Sequence, residues 1–220
     1  MKRTITRAFL FATGATLFLL PALSAQTATF TKYVALGDSY GAGFSAGCLV
    51  ARNQQFSYPN ILAKQLGIAD FQQPTVSDPG IPTCNGLKSL VPVTFGPIST
   101  KTGTPTNLAL ARSYDNLSIP GAKAGDVIDV KTSADGLDLA DLVLRGKGSQ
   151  LAQALSLNPS FITLGIIGND ILTVGSAGFL LDGVTATPLA AFTAKYNSVA
   201  ASLKASGRNG VFISTPDLRL

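Results

Sequence analysis

The chain has 220 residues, 46% of them hydrophobic and 13% charged, enough apolar material for one substantial core and too much for a disordered segment. The formal net charge is +5, but Lys2, Arg3 and Arg7 sit in a segment expected to be removed. Without them 14 basic residues face 12 acidic ones, about +2. No run or stripe of Lys and Arg appears, so nucleic acid is not an expected partner.

Residues 1–25 have a basic start, an apolar stretch from Ala8 to Leu20, then Pro21 and the run Ala22-Leu23-Ser24-Ala25. That is the layout of a secretory signal, with cleavage expected near Ser24 to Ala28. The alternative is a membrane anchor, but the apolar stretch falls short of the ~20 residues a spanning helix needs. No later segment is long and apolar enough to span, so no transmembrane segment is expected after cleavage. The expected location is outside the cytoplasm, secreted or periplasmic, with one domain over residues 30–220. An exported chain whose only cysteines are Cys48 and Cys84 points to a disulfide, two free buried thiols being the alternative. Closing that loop contributes about 3 to 4 kcal/mol by the chain-entropy estimate.

In the mature region, Tyr33-Val34-Ala35-Leu36-Gly37 is a short apolar run ending in Gly, the pattern of a buried strand. Tyr58, Ile61, Leu62, Gln65 and Leu66 share one helical face before Gly67, which predicts a helix over about 57–66 with that face in the core. Residues 68–111 hold half of the twelve prolines and no sustained period, so a long surface excursion is expected there. Its Leu90, Val91, Val93 and Phe95 either wall a binding site or pack the loop onto the body. Ser113 to Ser118 reads as a weaker strand, followed by a short helical pattern from Lys123 to Val130. Residues 131–148 are polar and Gly-containing, a second candidate wall.

A helix over Ser149 to Leu157 ends before Asn158-Pro159. Phe161 to Ile167 is nearly all apolar, as in a strand covered on both faces of a parallel sheet. Leu189, Phe192, Tyr196, Val199 and Leu203 recur at helical spacing, and Gly210 to Thr215 looks like a further buried strand. Strands alternating with helices predict a parallel α/β fold.

The strongest local signal is Gly37-Asp38-Ser39-Tyr40-Gly41 at the carboxyl end of the first strand, where ligands bind in open α/β sheets. A serine on such a turn presents its hydroxyl to a substrate, and its own N–H and the start of the next helix face a developing oxyanion. The pentapeptide also fits the G-x-S-x-G nucleophile elbow of α/β-hydrolases, but only about a dozen mature residues precede it, too few for the strands that come before that elbow. Asn116-Leu117-Ser118-Ile119-Pro120-Gly121-Ala122 follows at the second strand, and Gly168-Asn169-Asp170 after the third.

Taken in order, these three blocks resemble those of the GDSL or SGNH hydrolase family over residues 33 to about 217. The resemblance implies a three-layer, flavodoxin-like parallel sheet and a secreted esterase or lipase working by acyl transfer. Ser39 would be the nucleophile, with the N–H groups of Ser39 and Gly121 and the side-chain amide of Asn169 forming the oxyanion hole. Asp38 would brace the turn, and Asp170 would be structural rather than the acid of a triad. The implied partner is a small ester or lipid, with no cofactor, no metal and a monomeric protein.

The match departs from the family at Tyr40, where the family name has Leu, and at Ile167, where the third block would carry Gly. The family's last block, an Asp three residues before a His, has no counterpart. Asp217-Leu218-Arg219-Leu220 ends in Leu, and the sequence contains no His. A chain that continues past Leu220 is the expectation, with the last strand and helix missing here and these 220 residues inert on their own. A non-catalytic secreted binding protein on a degenerate hydrolase scaffold is the competing reading.

Overall fold

A computed structural model describes residues 30–166 and 168–213. The signal segment, Ile167 and residues 214–220, Asp217 among them, lie outside the described residues. The elements in chain order are β1 (Tyr33–Gly37), α1 (Ser39–Ala42), α2 (Ala51–Gln54), α3 (Tyr58–Gln65), β2 (Asn85–Leu90), β3 (Val93–Pro97), α4 (Ala140–Leu144), α5 (Gln150–Ser156), β4 (Phe161–Gly165), α6 (Leu172–Ala177), α7 (Leu189–Ala205) and β5 (Asn209–Phe212). Single 3₁₀ turns occupy Ala124–Val127 and Ser133–Asp135.

The fold is α/β, built on a parallel sheet in the order β1-β4-β5. A fourth extended segment lies on the free side of β1. Ala35 N–H donates to Asp115 O at 2.7 Å, Leu117 N–H to Ala35 O at 2.9 Å and Ile119 N–H to Gly37 O at 3.0 Å, a short parallel ladder. The weak strand read at Ser113 to Ser118 is therefore paired, although only the Ala35–Asn116 pairing is regular.

Alternation within the strands sorts side chains to two covered faces. Val34 and Leu36 stand beside Ile162 and Leu164 and face α4, α5 and α7 through Val143, Leu144, Ala154 and Val199. On the opposite face Tyr33, Ala35 and Phe161 pack against Ala63 and Leu62 of α3. Among the described residues no helix is long and apolar enough to cross a membrane.

Four expectations need correction. The strand read as buried at 210–215 is β5, and it is mostly exposed, with Val211 at 50% and Phe212 at 42%. The inward face of α3 is not the stripe read from spacing: Ile61 is 42% exposed and Gln65 is exposed, while Pro59 and Ala63 turn inward. Tyr33 and Phe71 stack in the cluster beneath this helix, where Ala63 is buried and Leu62 and Leu66 are partly buried. The excursion at 68–111 contains an antiparallel hairpin, β2–β3, with a bulge between Leu87 and Ser89. Its Leu90, Val91, Val93 and Phe95 are 62% or more exposed, so they do not pack the loop onto the body. Residues 131–148 are partly core rather than wall, because Leu137, Leu139, Ala140, Val143 and Leu144 are buried around α4.

Cys48 and Cys84 form a disulfide, and both are buried. This bond fastens the root of the hairpin to the segment that follows α1.

At the free side of β1, the fully buried Asp115 carboxylate accepts from Gln72 N–H at 2.8 Å and pairs with Lys32 at 2.5 Å and Arg112 at 2.9 Å. Both cations keep about a quarter of their surface in solvent, so part of their hydration survives if the carboxylate is lost. Asp115→Ala is expected to lower stability by about 3 kcal/mol, the low end for breaking a buried pair. The shift of the urea unfolding midpoint measures it.

Candidate active site

The site is assembled from main-chain turns at the carboxyl ends of adjacent strands. Counting the 114–119 segment second, the spatial order of the strands is second, first, third, fourth. The chain therefore reverses direction across the sheet between β1 and β4, the switch point where open α/β sheets leave a crevice. Gly37 and Gly165 are register partners at this level. A Cβ on Gly37 would lie 2.9 Å from Gly165 O, so neither strand has room for a side chain there.

Asp38 caps the short helix α1: its carboxylate accepts from Tyr40 N–H at 3.0 Å, and its own N–H donates to Gly165 O at 3.3 Å. The Asp38 side chain is buried and turned into the protein, whereas Ser39 is half-buried and reaches solvent. Gly43 closes the turn with φ +72°, and its N–H bonds back to Ser39 O. These bonds hold the Ser39 backbone on both sides, and none of them uses its hydroxyl.

The second block is locked onto the first. Asn116 Nδ2 donates to Gly41 O at 2.8 Å, while Asn116 Oδ1 accepts from Ser118 N–H at 3.2 Å. Gly41 packs directly on Ser118: a Cβ there would meet Ser118 Oγ at 2.2 Å and Ser118 Cβ at 2.9 Å. Gln150, from the start of α5, accepts from Gly37 N–H at 3.0 Å. Asn116 and Gln150 are thus positioning residues for the Ser39 turn that sequence reasoning missed. Buried amides facing a glycine main chain leave no spacing signature, although Asn116 stands inside a recognised block.

The third block closes the arrangement. Asn169 Nδ2 donates to Ala122 O at 2.8 Å, which uses one of its two amide hydrogens. Asp170 Oδ2 accepts from Ala124 N–H at 2.9 Å, and Asp170 O accepts from Thr187 N–H at 2.7 Å. Asp170 is buried in these bonds and faces the 3₁₀ turn rather than the solvent. Gly121 has φ +87° and is exposed. Neither Ser39 N–H nor Gly121 N–H donates to a protein acceptor among the described residues. The structure so links Gly37–Gly41 to Asn116–Ala122 through the Asn116–Gly41 bond, and Asn116–Ala122 to Gly168–Asp170 through the Asn169–Ala122 bond.

Burial pushes the Tyr58 phenol above its ordinary value, and its hydroxyl would lie 2.7 Å from a Cβ at Gly165. An open trough of about 380 Å³, lined by Tyr40, Phe44, Phe56 and Tyr58 among others, flanks α1. Among the described residues no cluster of His, Cys, Asp or Glu is set to hold a metal ion.

Gly41→Ala is expected to lower stability by about 1 to 3 kcal/mol through the collision with Ser118. Most of that loss should return in Gly41→Ala/Ser118→Gly, a coupling that a double-mutant cycle in urea measures.

No family model matches the chain, and neither does any curated protein or solved structure.

Proposed function

We propose that the chain is a secreted serine ester hydrolase whose nucleophile is Ser39. The observation that carries this reading is that the three turns are hydrogen-bonded to one another at the carboxyl ends of the strands, with a half-buried serine on the first of them. The strand order agrees with a flavodoxin-like sheet, for which the same crevice is the ligand site. Helices on both faces agree with a three-layer sandwich of the SGNH type.

In this reading Ser39 Oγ attacks the ester carbonyl carbon and its proton passes to a base. The carbonyl oxygen takes the negative charge opposite the N–H groups of Ser39 and Gly121 and the remaining amide hydrogen of Asn169. Collapse expels the alcohol and leaves an acyl-serine, which water hydrolyses by the same route. Asp38 and Asp170 orient the turns and do not touch the substrate. A serine hydroxyl is a weak nucleophile without a positioned base. The 220 residues contain no histidine, so this reading assigns the base to a group they do not supply.

The absence of histidine favours a second reading, a secreted binding protein that uses the crevice without chemistry. One assay separates the two: protein from the whole natural reading frame and the 220-residue chain are compared on a short-chain aryl ester, with Ser39→Ala as control. Activity from the whole frame that vanishes with Ser39→Ala supports the hydrolase. A whole-frame product inert on aryl esters of both short and long acyl chains favours the binder instead.

A further inference from the structure

A cavity of about 460 Å³ opens beside the third block, within the size range of small-molecule sites. Gly168 and Asp170, which flank Asn169, form its inner wall, and the rest is predominantly apolar: Ile166, Leu180, Ala186, Leu189, Phe192 and Tyr196. Ser39 is not one of its lining residues; the cavity borders the third block through Gly168 and Asp170, the neighbours of Asn169.

Its outer wall is a loop with its own internal ties. The Thr185 hydroxyl donates to Phe179 O at 3.0 Å and accepts from Leu181 N–H at 2.7 Å. Thr187 N–H donates to Asp170 O at 2.7 Å, fastening the loop directly to the third block. The cavity is therefore formed by a loop already hydrogen-bonded in place, and little ordering cost remains for an occupant. Leu180 and Leu189 at its mouth are 68% and 74% exposed, apolar surface that an occupant would remove from water. Asp170, Asp182 and Tyr196 are the ionisable groups on the lining and none is a cation, so the occupant is not an anion.

We infer that this cavity receives the aliphatic acyl chain of the ester that Ser39 attacks, which makes esters of fatty acyl groups, rather than acetyl esters, the preferred substrates. The inference rests on the hydrolase reading above. An apolar chain matches the lining, and its ester carbonyl would be left at the turn bearing Asn169, where the oxyanion donors converge.

The test is a series of p-nitrophenyl esters from acetyl to decanoyl, hydrolysed by protein from the whole natural reading frame. Each added methylene buried should raise kcat/KM roughly threefold to fourfold until the cavity is full, giving the octanoyl ester an advantage of roughly 100-fold or more over acetyl. Ala186→Trp, which fills the cavity, and Leu180→Asp, which places a charge at its mouth, should each cut that octanoyl-to-acetyl ratio at least tenfold. Leu180 is exposed, so its substitution keeps the test valid if the Trp variant does not fold. A ratio near one, in a protein whose activity still depends on Ser39, overturns the acyl cavity and leaves the hydrolase reading standing. An octanoyl preference that both folded variants retain also overturns it. Hydrolysis that survives Ser39→Ala overturns the hydrolase reading itself, and the cavity assignment with it.

Discussion

Replacing Ser39 by alanine in protein from the whole natural reading frame should lower kcat on an aryl ester by about 10⁴ to 10⁶, with little change in the unfolding midpoint. The size follows from the role: a nucleophile is part of a unit, and removing one member costs nearly as much as removing the unit. The stability expectation follows from the structure. The bonds that hold the turn, Asp38 to Tyr40 N–H, Gly43 N–H to Ser39 O and Asn116 to Gly41 O, involve no Ser39 side-chain atom, so alanine leaves each intact. The 220-residue chain without substitution should already resemble the alanine variant, retaining only the roughly 10³-fold advantage over water that an oxyanion hole and binding provide. Initial-rate kinetics with a circular-dichroism melt on the same samples check both halves. Normal turnover by the purified 220 residues would refute the assignment of the base.

The second large effect is on the fold. Reducing the Cys48–Cys84 bond, or replacing both cysteines by serine, should destabilise the protein by about 3 to 4 kcal/mol, for a sequence separation of 36 residues. Much of that loss arises in the unfolded chain, which regains the freedom of the closed loop. The native side adds to it, because both sulfurs are buried with Val50 and two serine hydroxyls there would be poorly solvated. Urea unfolding with and without reductant reads the difference directly. The hairpin root beside Cys84 should lose amide-exchange protection first, since the bond joins it to the segment after α1.

The parts of the fold that were legible in the sequence are those where one physical signal dominates. Tyr33–Gly37 and Phe161–Gly165 are strands because both of their faces are covered, and a continuous apolar run is the signature of that environment. Gln150–Ser156 follows its cap, with Ser149 Oγ accepting from Ala152 N–H. Other elements stayed hidden because their signals compete. In and just before α4 the apolar residues are interleaved with Asp138 and Asp141, which makes a short core helix read as a polar loop. In β2–β3 the bulge after Leu87 breaks the alternation, and the side chains that should mark a buried face stand in solvent. The α7 stripe is helical as its spacing requires, yet Leu189 at its start is exposed and lines the acyl cavity instead of the core.

The candidate site divides the same way. Ser39, Gly121 and Asn169 are found from three blocks, and the structure brings those blocks together. How the blocks are held was not legible, since Gln150 reaches Gly37, and Asn116 reaches Gly41, across large sequence separations that no local pattern encodes.

That mode of assembly also bears on how such a chain ages in evolution. Nearly every tie between the three turns has a peptide group on at least one side, so the side chains bordering them are free to drift without moving the crevice. The positions pinned by contact are few: Gly37 and Gly41, where a methyl group collides, and Asn116 and Gln150, whose amides reach a peptide. Selection acting on so small a set would preserve the geometry of these turns while the side chains around them change.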